Sequence, residues 1–173
     1  MSYTFQKLTE IDVVAFDRVF NSSLSALKLN HNFDSASDTD QKKKTEIFTH
    51  FYKIIYEGAP GFVWEEKDGD HVLSYNIGGI LQRDDNGFHT FVLDFSMFGP
   101  DANGSKSYLY STEYTQAGVD FWKSMFVNKL LMRFLNTDSG NTAYQNALAR
   151  QATIVSEGGG SFTDGVVMEW DFS

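Results

Sequence analysis

The chain has no cysteine in 173 residues, which excludes disulfides, thiolate metal sites and a cysteine nucleophile. Basic residues are scarce: 14 Lys and Arg stand against 23 Asp and Glu, a formal net charge of −9. Attraction to nucleic acid or an anionic membrane would need a local basic patch. The one dense basic run, Lys42-Lys43-Lys44, reads as a solvated helix face, so no nucleic-acid partner is expected. No apolar stretch approaches the roughly 20 residues needed to span a bilayer. The opening Met1–Lys7 lacks a basic head followed by an apolar core, so neither a signal peptide nor a location outside the cytoplasm is expected. There is no Gly-x-Ser-x-Gly elbow for a serine nucleophile. The four histidines show no His-x-x-x-His spacing. His71 and His89 fall on neighbouring strands with no carboxylate at ligand spacing, and no metal is expected.

What is present is a large apolar and aromatic content, with 42% hydrophobic residues including 16 Phe, 8 Tyr and 3 Trp. That is ample for a core, and without repeats or low-complexity segments it points to one domain over residues 1–173. Large rigid side chains beyond the needs of one core also suit subunit contacts, so a protein partner or a homo-oligomer is a second expectation.

Residues 3–8 alternate by side-chain class and predict a short strand. Thr9, with Asp12 three residues on, reads as the cap of a helix over about 10–28. Residues 30–39 are turn formers. A second helix is predicted over about 39–57, ended by Gly58-Ala59-Pro60-Gly61. Next comes a meander: 62–66, a turn around Asp68-Gly69, 71–81, a turn at Asp84–Gly87, and 88–98. Tyr108–Tyr110 fits strand or helix. Apolar residues from Val119 to Leu135 predict one long helix, and 141–150 a shorter one. A closing hairpin joins 152–156 to 166–172 through Gly158–Gly160.

Ser111-Thr112-Glu113-Tyr114-Thr115-Gln116-Ala117-Gly118 carries the most chemistry. A glycine just before an amphipathic run brings backbone N–H groups to a helix N-terminus, a favourable place for an anion. Asp120, in the first turn of that predicted helix, already satisfies the dipole and would repel a pyrophosphate.

The element order is similar to the N-acetyltransferase (GNAT) superfamily. Tyr3–Ala15 resembles its opening strand and helix, Glu65–Gly69 its acidic-glycine hairpin, and Ser111–Gly118 a worn form of its cofactor-binding turn. The resemblance implies an α/β (α+β) fold with a mixed, largely antiparallel sheet flanked by helices. In that family the turn runs Arg or Gln, two residues, Gly, one residue, then Gly or Ala. Anchoring on Gly118 puts Thr115 in the first place and Asp120 in the last, so only the glycine matches.

The resemblance implies acetyl-CoA as cofactor, held by Gln116, Ala117, Gly118 and Val119, with Asp94 as base and Tyr144 as the acid for the leaving thiolate. Phe91, Val92, Leu93 and Phe95 would desolvate Asp94 and raise its pKa; the alternative on a period-two strand is that Asp94 faces solvent. Tyr144 equally suits packing. Of Glu65 and Glu66, strand alternation lets only one face a cleft. Small proteins of short-tailed phages show a similarly worn layout, with comparable length and closing hairpin. Two functions therefore stand open: an acyl-CoA-dependent N-acyltransferase, and a non-catalytic interaction or virion component with no cofactor.

Overall fold

The computed structural model describes residues 2–29, 39–135, 153–156 and 165–171. The elements are β1 (Tyr3–Lys7), α1 (Val13–Leu29), α2 (Asp40–Tyr56), β2 (Phe62–Asp68), β3 (His71–Arg83), β4 (His89–Phe98), α3 (Thr112–Ser124), β5 (Val127–Leu135), β6 (Thr153–Ser156) and β7 (Gly165–Asp171), with a 3-10 turn at Ser107–Tyr110 ahead of α3. The strands form one sheet in the order β1-β2-β3-β4-β5-β7-β6. Its β4–β5 pair is parallel and the other neighbouring pairs are antiparallel. This is the α+β class expected, with a mixed, largely antiparallel sheet. Among the described residues no helix is long and apolar enough to cross a membrane.

Local chemistry sets most element ends. Thr39 caps α2, its hydroxyl accepting from the Lys42 N–H at 3.1 Å, and Gly58 leaves that helix at φ 69°. The first helix differs from expectation. Its cap is Asp12, whose carboxylate accepts from the N–H groups of Val14 at 3.0 Å and Ala15 at 3.1 Å, so α1 starts four residues beyond Thr9. An ionised oxygen at that position also favours the helix dipole.

The long helix expected over Val119–Leu135 is overturned. The structure ends α3 at Ser124 and begins β5 at Val127. Between them Phe126 sits at φ 59°, a left-handed conformation that stops the helix. The run from Val127 to Leu135 is apolar at both helical and strand periods. Pairing decides it, because β5 lies between β4 and β7 and central strands carry near-continuous apolar sequence. The helix expected over 141–150 lies outside the described residues, as does the glycine turn of the closing hairpin.

Alternation along β2 sends Val63 to the face covered by α1 and α2, and Trp64 to the face covered by α3. On the first face Phe16, Phe20, Phe51 and Tyr75 are buried together. On the second, Trp64, Phe91 and Trp122 meet with ring centroids 4.8–5.6 Å apart, in tilted and edge-on arrangements that add to area burial.

Tyr75 is fully buried, and its hydroxyl has no hydrogen-bond partner among the described residues. Burial, reinforced by the Glu65 and Asp12 carboxylates, pushes its pKa up. Removing an unpaired buried hydroxyl relieves a desolvation penalty. Tyr75→Phe is therefore expected to leave stability unchanged or raise it by about 1 kcal/mol in urea titration. A clear loss would mean that the hydroxyl has a partner.

Candidate functional site

The β4–α3–β5 segment is a parallel strand–helix–strand unit, and such units bind ligands beyond the carboxyl ends of their strands. β4 and β5 pair from His89↔Val127 to Leu93↔Met132. Among the described residues no pair follows, although β4 runs to Phe98 and β5 to Leu135. The two strands diverge there into a fork. Backbone N–H and C=O groups along such inner edges suit an extended, amide-bearing ligand, because the edge of an interrupted ladder must find partners elsewhere.

A bulge sits at the same point. On β3, Ile77 pairs with Phe95 and the next residue, Gly78, pairs with Leu93. Asp94 is thus the extra residue, and bulges bend a strand and re-aim a side chain. Gly78 makes the arrangement sterically possible. A Cβ there would lie 2.4 Å from the Phe91 ring and 2.5 Å from the Val92 carbonyl oxygen.

Asp94 therefore stands at the mouth of the fork, but it is exposed. Ser96, two residues on, has a buried hydroxyl without a partner among the described residues. Strand sequence alone gave no sign of either the bulge or Ser96.

Gln116, Ala117, Gly118 and Val119 do not form a turn before a helix. They lie inside α3, whose cap is Ser111, with its hydroxyl accepting from the Tyr114 N–H at 3.1 Å. Helical N–H groups in mid-helix are committed to carbonyls one turn back, so the free amides sought there sit further upstream. Gly118 has a packing role instead: a Cβ on it would come within 3.2 Å of the Phe5 ring, so its smallness lets α3 approach β1. Asp120 is in the third turn and accepts from the Gln116 side chain at 2.9 Å. Tyr144 lies outside the described residues.

Glu65 and Glu66 depart from the expectation that only one could be sheltered. Both sheet faces are covered, so alternation buries both, at 8% and 3% exposure. Glu65 accepts from the Gln6 side chain and lies 3.6 Å from the Lys67 ammonium. Glu66 accepts from the Ser74 hydroxyl, from the Asn76 amide at 3.1 Å and from the Tyr114 hydroxyl on α3. This cluster ties the first turn of α3 to β2 and β3.

The loop between β4 and α3 is closed on itself. Asp101 is 8% exposed, and its carboxylate accepts from the N–H groups of Asn103 and Ser105 at 2.9 Å each. Its carbonyl accepts from Gly104 N–H at 3.0 Å, with Gly104 at φ 79°. Asp101-Ala102-Asn103-Gly104-Ser105 is a turn signature by composition, and that signal was available in the sequence. His71 also braces this loop, its Nε2 lying 3.0 Å from the Pro100 carbonyl oxygen and 3.1 Å from an Arg18 guanidinium nitrogen. Among the described residues no three potential metal ligands gather around His71, His89 or elsewhere.

No protein-family model matches the chain, and no curated protein sequence matches it. Solved structures do. A Desulfovibrio desulfuricans protein assigned to the GNAT family of acetyltransferases superposes with TM-score 0.61 at 10% identity, covering 99% of this chain and 100% of that one. An aminoglycoside N(6')-acetyltransferase from Legionella pneumophila superposes with TM-score 0.60 at 13% identity, covering 99% and 93%. A Salmonella typhimurium protein assigned as an acetyltransferase, solved with its cofactor acetyl-CoA, gives TM-score 0.52 at 9% identity over 100% and 95%. The chain has the fold of the GNAT acetyltransferases.

Proposed function

We propose that the chain is an N-acyltransferase-like protein that takes an acyl thioester in the fork between β4 and β5. The carrying observation is that the parallel pairing stops at Leu93–Met132 beside the bulged Asp94. The opened backbone edges fit the amide-bearing pantetheine arm of an acyl-CoA. The Asp94 carboxylate, in reach of solvent at the fork's mouth, would draw a cationic amine and take the proton that must leave before its lone pair attacks the thioester carbonyl. The thiolate then departs as the amide forms and takes the second amine proton to leave as the thiol. Acetyl-CoA complexed to a protein of this fold supports acetyl-CoA as the donor to try first. The pyrophosphate end of that molecule fits less well: the first turn of α3 carries Glu113, whose charge opposes a second anion at the helix N-terminus. That mismatch, with the exposure of Asp94, favours a second reading in which the scaffold serves as a non-catalytic interaction protein.

Thermal unfolding with millimolar acetyl-CoA and, separately, S-acetylpantetheine separates the two. A ligand at about 100 times its Kd stabilises the native state by roughly 2.7 kcal/mol. The expected result is a rise of a few degrees in Tm, with backbone amide shifts confined to Asp94–Met97 and the facing end of β5. No rise with either compound, and no shifted amides, would leave the interaction reading in place.

A further inference from the structure

We infer that the outward face of α2 docks on the same face of a second copy of this chain, the two helices running antiparallel about a two-fold axis. Thr45, Thr49, Tyr52 and Tyr56 form one stripe along α2 at helical spacing, and all four are exposed. Their rings are already ordered: Phe48 stacks on Tyr52 with centroids 6.5 Å apart, and Tyr52 meets Tyr56 at 4.7 Å. Tyrosines held in place lose little freedom on burial, and they are frequent anchors of interfaces. Reversed, the stripe is complementary to itself in size. With the two-fold between His50 and Phe51, Thr45 faces Tyr56 of the second copy and Thr49 faces its Tyr52, a small residue against a large one each time.

The charges beside that stripe select the same partner. Lys42, Glu46, Lys53 and Glu57 follow one another along its flank with alternating sign, and all are exposed. Read backwards, every sign is opposite. In an antiparallel pair centred between Thr49 and His50, Lys42 faces Glu57 of the second copy and Glu46 faces its Lys53, so all four pairs attract. The two centres lie one residue apart, an offset of about 3 Å between the paired helices, which the long Lys and Glu side chains span. A parallel pair would set like charges together. Flanking charges fix partner and orientation in this way along paired helices, and self-complementarity is what a two-fold contact requires. Glu46 also pairs with Lys43 of its own helix at 3.0 Å, and a carboxylate has acceptor capacity for both lysines. One helix face from each copy makes a small interface, at the low end of specific ones, so a dimer dissociating in the micromolar range is expected.

The test is sedimentation of the whole chain between about 1 and 300 µM. The parent is expected to pass from monomer to dimer over that range. The dimer should weaken at about 1 M salt, where the screening length falls to about 3 Å. Glu46→Lys and Lys53→Glu change exposed side chains and are expected to leave the fold intact. Each sets like charges face to face and is expected to weaken self-association about tenfold or more. An equimolar mixture of the two variants brings the lysines of one against the glutamates of the other, so the mixed dimer is expected to form with the parent's affinity. A parent that stays monomeric at the top of the range overturns the inference. So does a parent dimer that neither variant weakens, because the contact then lies elsewhere. Two weakened variants that mixing does not restore overturn it as well, because the helices then do not meet antiparallel in this register.

Discussion

Gly78→Ala is expected to destabilise the protein by about 3 kcal/mol, the upper range for forcing extra volume into a packed site. The added methyl would meet the Val92 carbonyl oxygen at 2.5 Å and the Phe91 ring at 2.4 Å. A ring can rotate, but the carbonyl belongs to the β4 backbone and cannot yield without disturbing the bulge. Phe91 is itself wedged against Phe62, Trp64 and Trp122, so its ring has little room to move. The control is the adjacent glycine. A Cβ on Gly79 meets nothing within 4 Å, and Gly79→Ala is expected to stay within about 0.5 kcal/mol of the parent. Urea titration of both variants reads the difference. Equal midpoints would show that β3 and β4 do not approach as described, and the account of the bulge would fail with them.

The second large effect lies in the buried cluster under α3. Glu66→Ala is expected to destabilise by about 3–5 kcal/mol, since it strips a common acceptor from three buried donors. Those donors are the Ser74 hydroxyl, the Asn76 amide and the Tyr114 hydroxyl. Tyr114→Phe removes one hydrogen bond to a carboxyl group and is expected to lower stability by about 1.5–3 kcal/mol. Because the two side chains share a bond, the double variant should lose less than the sum, with a coupling energy of about 1–3 kcal/mol. Strict additivity would mean that α3 is held to the sheet by Gly118 packing on Phe5 and by the aromatic cluster alone. Glu66→Gln tests the charge separately, since glutamine keeps one acceptor for the Tyr114 hydroxyl.

The two predictions concern different supports of one site. Gly78 allows the close approach of β3 and β4 at the bulge, and Glu66 anchors the first turn of α3.

Several features were legible locally. Asp68-Gly69 and Asn86-Gly87 fall at tight turns with Gly69 at φ 59° and Gly87 at φ 88°, as the meander reading requires. The breaker after α2 and the first strand were equally local. The element order along the chain, with the segments Tyr3–Ala15, Glu65–Gly69 and Ser111–Gly118, suggested the acetyltransferase-like layout. Apart from the cap of α1, where Asp12 rather than Thr9 holds the first N–H groups, the contacts that decided against the reading were distant in sequence. Val127–Leu135 looks helical by spacing, and only pairing with β4 on one side and β7 on the other makes it a strand. Gly118 looks like a phosphate-loop glycine, and only Phe5, far away in the chain, shows that it is a packing glycine. Glu65 and Glu66 look solvated by charge, and only helices on both faces bury them.

The sequence by itself determined the punctuation of the chain and its class, because turns, caps and alternating strands are set by neighbours a few residues apart. It also excluded cysteine chemistry outright. The tertiary structure alone decided where β5 lies, that β4 leaves it after Leu93, and that the loop before α3 closes on Asp101. The reason is physical: strand pairing, close approach and burial are satisfied between residues that meet only when the chain has folded, and no local propensity records them.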